Sequence, residues 1–136
     1  PDNLQLRKTL NDKAISFEWH SNVSEETLID LYKKSHIVYF ASTYEGFGLP
    51  IIEAQSIGRP VIVSNVCSLP EIAGKVATQV SPFDVEGMRN VIESLESKNF
   101  REKIVAEGLE NIKRFEPHKI ASAYTQVYIE LTSLES

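Results

Sequence analysis

Thr43-Tyr44-Glu45-Gly46-Phe47-Gly48-Leu49-Pro50-Ile51-Ile52-Glu53-Ala54 follows directly on His36-Ile37-Val38-Tyr39-Phe40-Ala41, a short and nearly continuous apolar run. Such a run suits a parallel strand covered on both faces. In open α/β sheets ligands bind outside the carboxyl ends of the strands, which is where the residues from Thr43 onward stand. Gly46 and Gly48 lack a Cβ, so the chain can turn sharply and a ligand can approach the main chain closely. Pro50 suits the first position of a helix running to about Ile57, ended by Gly58 with Pro60 beyond it. Leu49, just before that proline, has no side-chain oxygen for the N–H groups of Ile51, Ile52 and Glu53. An uncapped helix N-terminus after a glycine-containing loop is suited to an anion, because its free donors and positive dipole end point outward.

Glu45 lies in the loop and Glu53 about one turn inside the helix, an arrangement in which both carboxylates can face one cleft while staying separated. Carboxylates accept hydrogen bonds from hydroxyl pairs, which suits a sugar or a ribose diol and does not suit direct contact with a phosphate. The competing reading of these residues alone is a tight βα turn carrying two solvated charges.

Outward from this stretch, short apolar runs alternate with helical periods, the pattern of an α/β fold. Ile15, Phe17 and Trp19 alternate with Ser16 and Glu18 as in a strand with one wetter face, Pro60 to Ser64 is a second buried run, and Val76 to Val80 is a weaker one. About four parallel strands are therefore expected. Ser24 is a helix cap, with Glu25 and Glu26 in the first turn, Leu28, Leu31 and Tyr32 on one face, and Lys33 and Lys34 at the end. Asp84 opens another helix, with Val85, Met88, Val91, Ile92 and Leu95 on one stripe, and Phe100 to Arg114 form a third. Pro117 starts a last helix whose stripe is Ile120, Ala121, Tyr124, Val127, Tyr128, Leu131 and Leu134, and core packing is the expected explanation of all these stripes.

Composition sets the outer bounds. The 136 residues are 42% hydrophobic and 24% charged, with 14 Lys plus Arg against 19 Asp plus Glu and a net charge of −5. This is the make-up of an ordinary globular domain with no global attraction for nucleic acid or an anionic membrane. A single cysteine, Cys67, cannot form an internal disulfide, and His20, His36 and His118 lack metal-ligand spacing, so a metal-free cytoplasmic protein is expected. No apolar run approaches the ~20 residues that span a bilayer, and no segment resembles a signal peptide. The chain begins at Pro1, and its one methionine is Met88, which suggests a piece of something longer.

Glu45-Gly46-Phe47-Gly48-Leu49-Pro50-Ile51-Ile52-Glu53-Ala54, followed by Gly58-Arg59-Pro60-Val61-Ile62, resembles the E-x7-E signature of retaining GT-B glycosyltransferases, the large group known as group 1 or family 4. Val23 to Tyr32 is similar to the family's acidic, leucine-containing helix before the signature strand. Ser68-Leu69-Pro70-Glu71-Ile72 and Pro82-Phe83-Asp84 resemble its next loop and helix start. The likeness runs from about residue 15 to 128, and its specific part is Thr43 to Val63.

The resemblance implies a Rossmann-like parallel sheet with helices on both faces, residues 1–136 forming most of the C-terminal, donor-binding domain, incomplete at its N-terminal end. The N-terminal acceptor domain would lie outside the chain, and through it the protein could sit at a membrane periphery. Implied for Glu45 is a catalytic place beside the donor sugar, for Gly46, Phe47, Gly48 and Leu49 contact with sugar and diphosphate, and for Glu53 the ribose hydroxyls. Trp19 and His20 would border the nucleobase, an aromatic platform being suited to a base, although a strand-end Trp also suits a core. No metal and no cofactor are implied. The partners implied are a nucleotide-sugar donor and an acceptor glycan, lipid or small molecule, with retention of anomeric configuration. The family's diphosphate-binding Arg and Lys belong to a segment upstream of these residues. Arg59 and Lys75 are the nearest basic side chains by sequence and read as solvated loop charges, so the isolated chain is expected to be inactive.

Two further readings accompany the transferase. One is a non-catalytic nucleotide-sugar-binding or assembly module. A dinucleotide-dependent dehydrogenase is weaker, because no G-x-G-x-x-G follows a strand. In the doubly wound order 3-2-1-4-5-6 the strands at Ile15 and His36 would not be neighbours. Either the segment is therefore part of a larger chain, or Ile15 to Trp19 is expected to be displaced, paired directly with His36 to Ala41, or completed by another molecule.

Overall fold

The structure, a computed structural model, describes residues 4–75 and 78–133. Strands β1 (Val38–Phe40), β2 (Val61–Ser64) and β3 (Gln79–Val80) form one parallel sheet in the order β1-β2-β3. Val38 pairs with Val61 and Val63 with Gln79. All four residues of β2 are buried. Successive strand side chains point to opposite faces, so both faces of this central strand are covered. The α/β class and parallel sheet agree with the sequence reading.

Helices α1 (Leu4–Asp12), α2 (Glu25–Lys34), α3 (Leu49–Ser56), α4 (Leu69–Ala73), α5 (Val85–Ser94), α6 (Lys98–Asn111) and α7 (Pro117–Ser133) accompany the sheet, with a 3₁₀ turn at Ile112–Phe115. Several starts follow their caps. Ser24 Oγ accepts from the Thr27 amide at 3.2 Å, Asp84 Oδ1 from the Gly87 amide at 2.8 Å, and Ser97 Oγ from the Phe100 amide at 3.5 Å. The end of α3 is a Schellman turn. Gly58, at φ +70°, donates to the Gln55 carbonyl at 3.0 Å, and Arg59 N donates to the Ala54 carbonyl at 2.9 Å.

The core gathers Ile51 and Ala54 of α3, Val61 to Val63 of β2, Leu69, Ile72 and Ala73 of α4, and Val80, Leu95 and Ile104. A buried polar bridge runs through it. Asn111 Nδ2 donates to Gln55 Oε1 and to the Ile72 carbonyl, both at 2.8 Å, while Gln55 Nε2 donates to the Ala73 carbonyl at 3.1 Å. Helices α3, α4 and α6 are thereby locked in one register, since a buried amide left unpaired would carry a full desolvation penalty.

Four expectations need correction. Ile15 to Trp19 is irregular rather than a strand, with Ile15 49% and Trp19 48% exposed, so the sheet has three strands and not four among the described residues. Its alternation supplies an apolar face, but a strand also needs a ladder partner, and none of the described strands pairs with it. Neither strand geometry nor direct pairing with β1 is found at Ile15 to Trp19 among the described residues.

The stripe of α7 is the second correction. Every described residue of that helix is exposed, Tyr124, Val127 and Tyr128 at 62%, 50% and 64% among them. Leu134 lies outside the described residues. Periodicity establishes an amphipathic helix and not what covers its apolar side. On α5 the expected stripe is only partly packed, with Leu95, Met88 and Val91 inward and Val85 and Ile92 exposed. The last strand is also shorter than expected: Gln79–Val80 is its described part, and Val76 and Ala77 lie outside the described residues.

Candidate functional site

Parallel topology sorts the connections by edge. The 41–48, 65–68 and 81–84 connections leave the carboxyl ends of β1, β2 and β3, whereas Arg59 and Lys75 precede β2 and β3 at the opposite edge. Neither cation therefore stands beside the Glu45 loop. Arg59 is not the solvated loop charge that was expected. Its guanidinium donates through Nη2 to the Lys33 carbonyl at 2.6 Å, which ties the end of α2 to the chain entering β2. Lys75 is exposed.

The 41–48 loop is shaped by short-range hydrogen bonds and close packing. Ser42 Oγ donates to the Tyr44 carbonyl at 3.0 Å and accepts from its amide at 3.4 Å. Ser68, from the next connection, donates its hydroxyl to the Glu45 carbonyl at 2.9 Å and lies 3.3 Å from the Phe47 carbonyl. Gly48 is buried at φ +101°, and a Cβ there would come within 2.8 Å of Leu69 Cδ2. Around Gly46 nothing lies within 4 Å of an added Cβ. The two glycines thus differ: Gly48 is demanded by backbone and packing, and Gly46 faces open space that a ligand can enter.

At the start of α3 the cap is Gly48 rather than Leu49, one residue earlier than the sequence suggested, and no side chain caps it. The Ile51 amide, expected to be free, donates to the Gly48 carbonyl at 3.0 Å. The positive end of the helix dipole still opens toward the carboxyl edge of the sheet.

Glu45 is half-buried, and its carboxylate makes no hydrogen bond or ion pair among the described residues. Glu53 is placed differently. Its Oε2 accepts from Tyr32 Oη at 2.9 Å in a groove of about 360 Å³ between α2 and α3, lined also by Leu28, Ile29 and Ser56. Burial first, and then the hydrogen bond to Glu53, raise the Tyr32 pKa above its ordinary 10.0. Glu45 does not line that groove, so the single cleft expected for both carboxylates is not what these side-chain positions form.

Trp19 and His20 take other partners. The Arg7 guanidinium stands 5.6 Å from the Trp19 ring centroid, and His20 Nε2 lies 3.0 Å from Glu18 Oε2. His20, Glu18, Glu26 and Asp30 line a space of about 630 Å³ beside α2 that does not include Trp19. Cys67 is exposed, at φ +51°, in the connection that carries Ser68.

Tyr32, Ser68 and Phe115 were not among the expected site residues. Phe115 meets Phe47 edge to face, ring centroids 5.9 Å apart and planes at 82°. A phenol tip within the otherwise aliphatic stripe of α2 was a usable signal for Tyr32. Phe115 had none, because its partner lies far away in sequence.

Residues 2–111 match the family described as "Glycosyl transferases group 1". The chain is 43% identical over 94 residues to "O-antigen chain mannosyltransferase B" of Escherichia coli, covering 68% of this chain and 25% of that protein. It is 30% identical over 131 residues to "Glycogen synthase" of Mycobacterium tuberculosis, covering 92% and 31%. In structure it superposes on sucrose-phosphate synthase from Thermosynechococcus elongatus with a TM-score of 0.79, 24% identity, and coverage of 96% of this chain and 34% of that one. The chain thus spans a quarter to a third of the length of these proteins.

Proposed function

The chain belongs to the group 1 glycosyl transferases, and from that membership we propose that it is the donor-binding part of a retaining transferase that moves a hexosyl group from a nucleotide-diphosphate sugar to an acceptor hydroxyl. The observation that carries this reading is the 45–48 loop. It sits at the carboxyl edge of the parallel sheet, between β1 and a helix with no side-chain cap, and Glu45 in it is free to accept hydrogen bonds.

Glu45 takes the catalytic place beside the sugar and accepts from its hydroxyls. Gly46, Phe47, Gly48 and Leu49 present main chain to sugar and diphosphate, with open space at Gly46 for the approach. Glu53 accepts from the ribose diol in the α2–α3 groove, with the oxygen that Tyr32 does not occupy, so the donor would span from the Glu45 loop to that groove. Charge developing on the departing diphosphate needs preorganised donors and cations. The helix supplies the former. Since Arg59 and Lys75 lie at the wrong edge, the cations come from the rest of the full-length protein, its N-terminal acceptor domain included, and neither a metal nor a cofactor is part of this reading.

Trp19 and His20 remain the proposed border of the nucleobase, a role that requires Trp19 to exchange its Arg7 partner for the base. A cytoplasmic location and a glycan, lipid or small-molecule acceptor complete the proposal, and the mannosyltransferase and glycogen synthase names of the similar proteins support polysaccharide synthesis. Mannosyl donors are the first to try.

Calorimetry with UDP-, GDP- and ADP-sugars on the full-length protein and on this chain, alongside a transfer assay, tests it. Turnover in the full-length protein with at least one donor is expected. Tight binding without turnover in that protein would favour a nucleotide-sugar-binding module, and absence of binding to every donor would sink both.

A further inference from the structure

We propose that Phe115 is a positioning residue for the Glu45–Leu49 loop, holding it in register from the 3₁₀ turn between α6 and α7. The loop-holding role stands on geometry alone; its effect on turnover rests on the transferase reading given above.

Three observations fix the Phe115 ring. It is half-buried and packs against the hydrophobic core. The Arg114 guanidinium lies 5.2 Å from its centroid, and Arg114 Nη1 donates to the Glu71 carbonyl at 3.0 Å and to Asn111 Oδ1 at 2.9 Å. Asn111 in turn belongs to the buried bridge with Gln55 and Ile72. The ring is therefore attached to the frame that α3, α4 and α6 share, and does not drift with the surface.

Ahead of the buried Gly48, the loop it touches has few other supports. Between Glu45 and Phe47, Ser68 Oγ is the described side chain that hydrogen-bonds the main chain, and it engages carbonyls only. Around Gly46 there is open space. Phe47, 42% exposed, is the anchor that this segment sends back to the body of the domain, and the edge-to-face contact with Phe115 is its aromatic partner. Such pairs have preferred offsets and angles, so they fix orientation as well as bury area. Phe47 is two residues from Glu45 and one from Gly48. Loss of the Phe115 ring releases Phe47, and with it the direction of the Glu45 carboxylate and of the 46–48 amides. A displacement of about 1 Å at reacting groups costs on the order of a hundredfold in rate.

The test uses the full-length protein with Phe115→Leu, Phe115→Tyr, Phe47→Leu and the double Phe47→Leu/Phe115→Leu. Backbone order is read by NMR relaxation at the 44–48 amides, with Val61 to Ser64 as an internal standard. Phe115→Leu is expected to lower the loop order parameters from the rigid range of about 0.85 to below about 0.6 with β2 unchanged, and Phe115→Tyr, which keeps the ring, to restore them. In the transfer assay both single Leu variants should lower kcat about tenfold with a much smaller change in donor KM. The double variant should be no worse than either, because both remove one contact.

Unchanged loop order in Phe115→Leu overturns the proposal. So does a loss of order in β2 equal to that of the loop, or a double variant whose loss is the product of the two single losses. Should Phe115→Leu fail to fold, Phe47→Leu, whose ring is partly in solvent, carries the same relaxation test. If the wild-type protein transfers no sugar, the transferase reading has failed, and loop order alone decides the positioning role.

Discussion

Tyr32 Oη donates a 2.9 Å hydrogen bond to Glu53 Oε2 and so joins α2 to α3 across the groove between them. The bond leaves one oxygen of Glu53 for a ligand and stops the carboxylate from rotating. Tyr32→Phe keeps the ring and deletes the bond. Hydrogen bonds to charged groups contribute about 1.5–3 kcal/mol, and for a half-buried pair a loss of about 1 kcal/mol is the expected result of urea denaturation. Affinity for the nucleotide, measured by calorimetry, should fall severalfold because Glu53 is no longer held in place.

The same pair gives stability an alkaline limb. Burial, and then the Glu53 bond, keep the Tyr32 phenol protonated in the folded state above its ordinary 10.0. In the unfolded chain the phenol loses its proton near that value, so above it the folded state binds more protons and stability falls as pH rises. Below pH 10 the contribution is fully present. Denaturation at pH 8 and near pH 11 should show this decline in the wild type and a shallower one in Tyr32→Phe.

Glu45→Ala removes a half-buried carboxylate that no described residue engages. Turnover of the full-length enzyme should be abolished while the thermal midpoint and circular dichroism stay within error of the wild type. Normal turnover in this variant would remove Glu45 from the catalytic place.

Gly48→Ala meets two penalties at once, a φ of +101° and a Cβ placed 2.8 Å from Leu69 Cδ2. Strained backbone and overpacking each cost about 1–3 kcal/mol. A loss of about 2–4 kcal/mol in urea denaturation is expected, together with a weakened donor site. Gly46→Ala, in open space, should cost far less.

Asn111→Leu breaks the buried bridge. It strands Gln55 Oε1 and the Ile72 carbonyl and removes an acceptor of Arg114. A buried polar group left unpaired costs about 1–3 kcal/mol, and two are exposed to that penalty here. Denaturation should show a loss of about 3 kcal/mol, and Phe115 should lose order through Arg114.

Local signals proved the readable part of this molecule. Ser24, Asp84 and Ser97 are helix caps because a side-chain oxygen meets an amide three residues on, and Pro50 with Gly58 brackets α3 for equally local reasons. Ser97 is a cap absent from the sequence expectations, although a serine is among the residue types that cap helices. Ile15 to Trp19 and α7 mark where local pattern stops being enough: each carries an apolar face whose partner is no part of the pattern itself. In the candidate site the loop from Glu45 to Leu49 was legible because its residues are contiguous. The contacts of Glu53 with Tyr32 and of Phe47 with Phe115 were not, since nothing in either neighbourhood specifies which distant ring will arrive.

Helix α3 is sealed at one end only. Its last carbonyls are consumed by Gly58 and Arg59, while its first turn carries no side-chain cap. The negative pole is thus quenched inside the protein and the positive pole is left facing outward, so the eight residues act as a single-ended electrode. The two ends answer differently to substitution: changes at Gly58 bear on whether the closing turn forms, whereas changes at the exposed Leu49 alter the field at the open pole with little effect on packing.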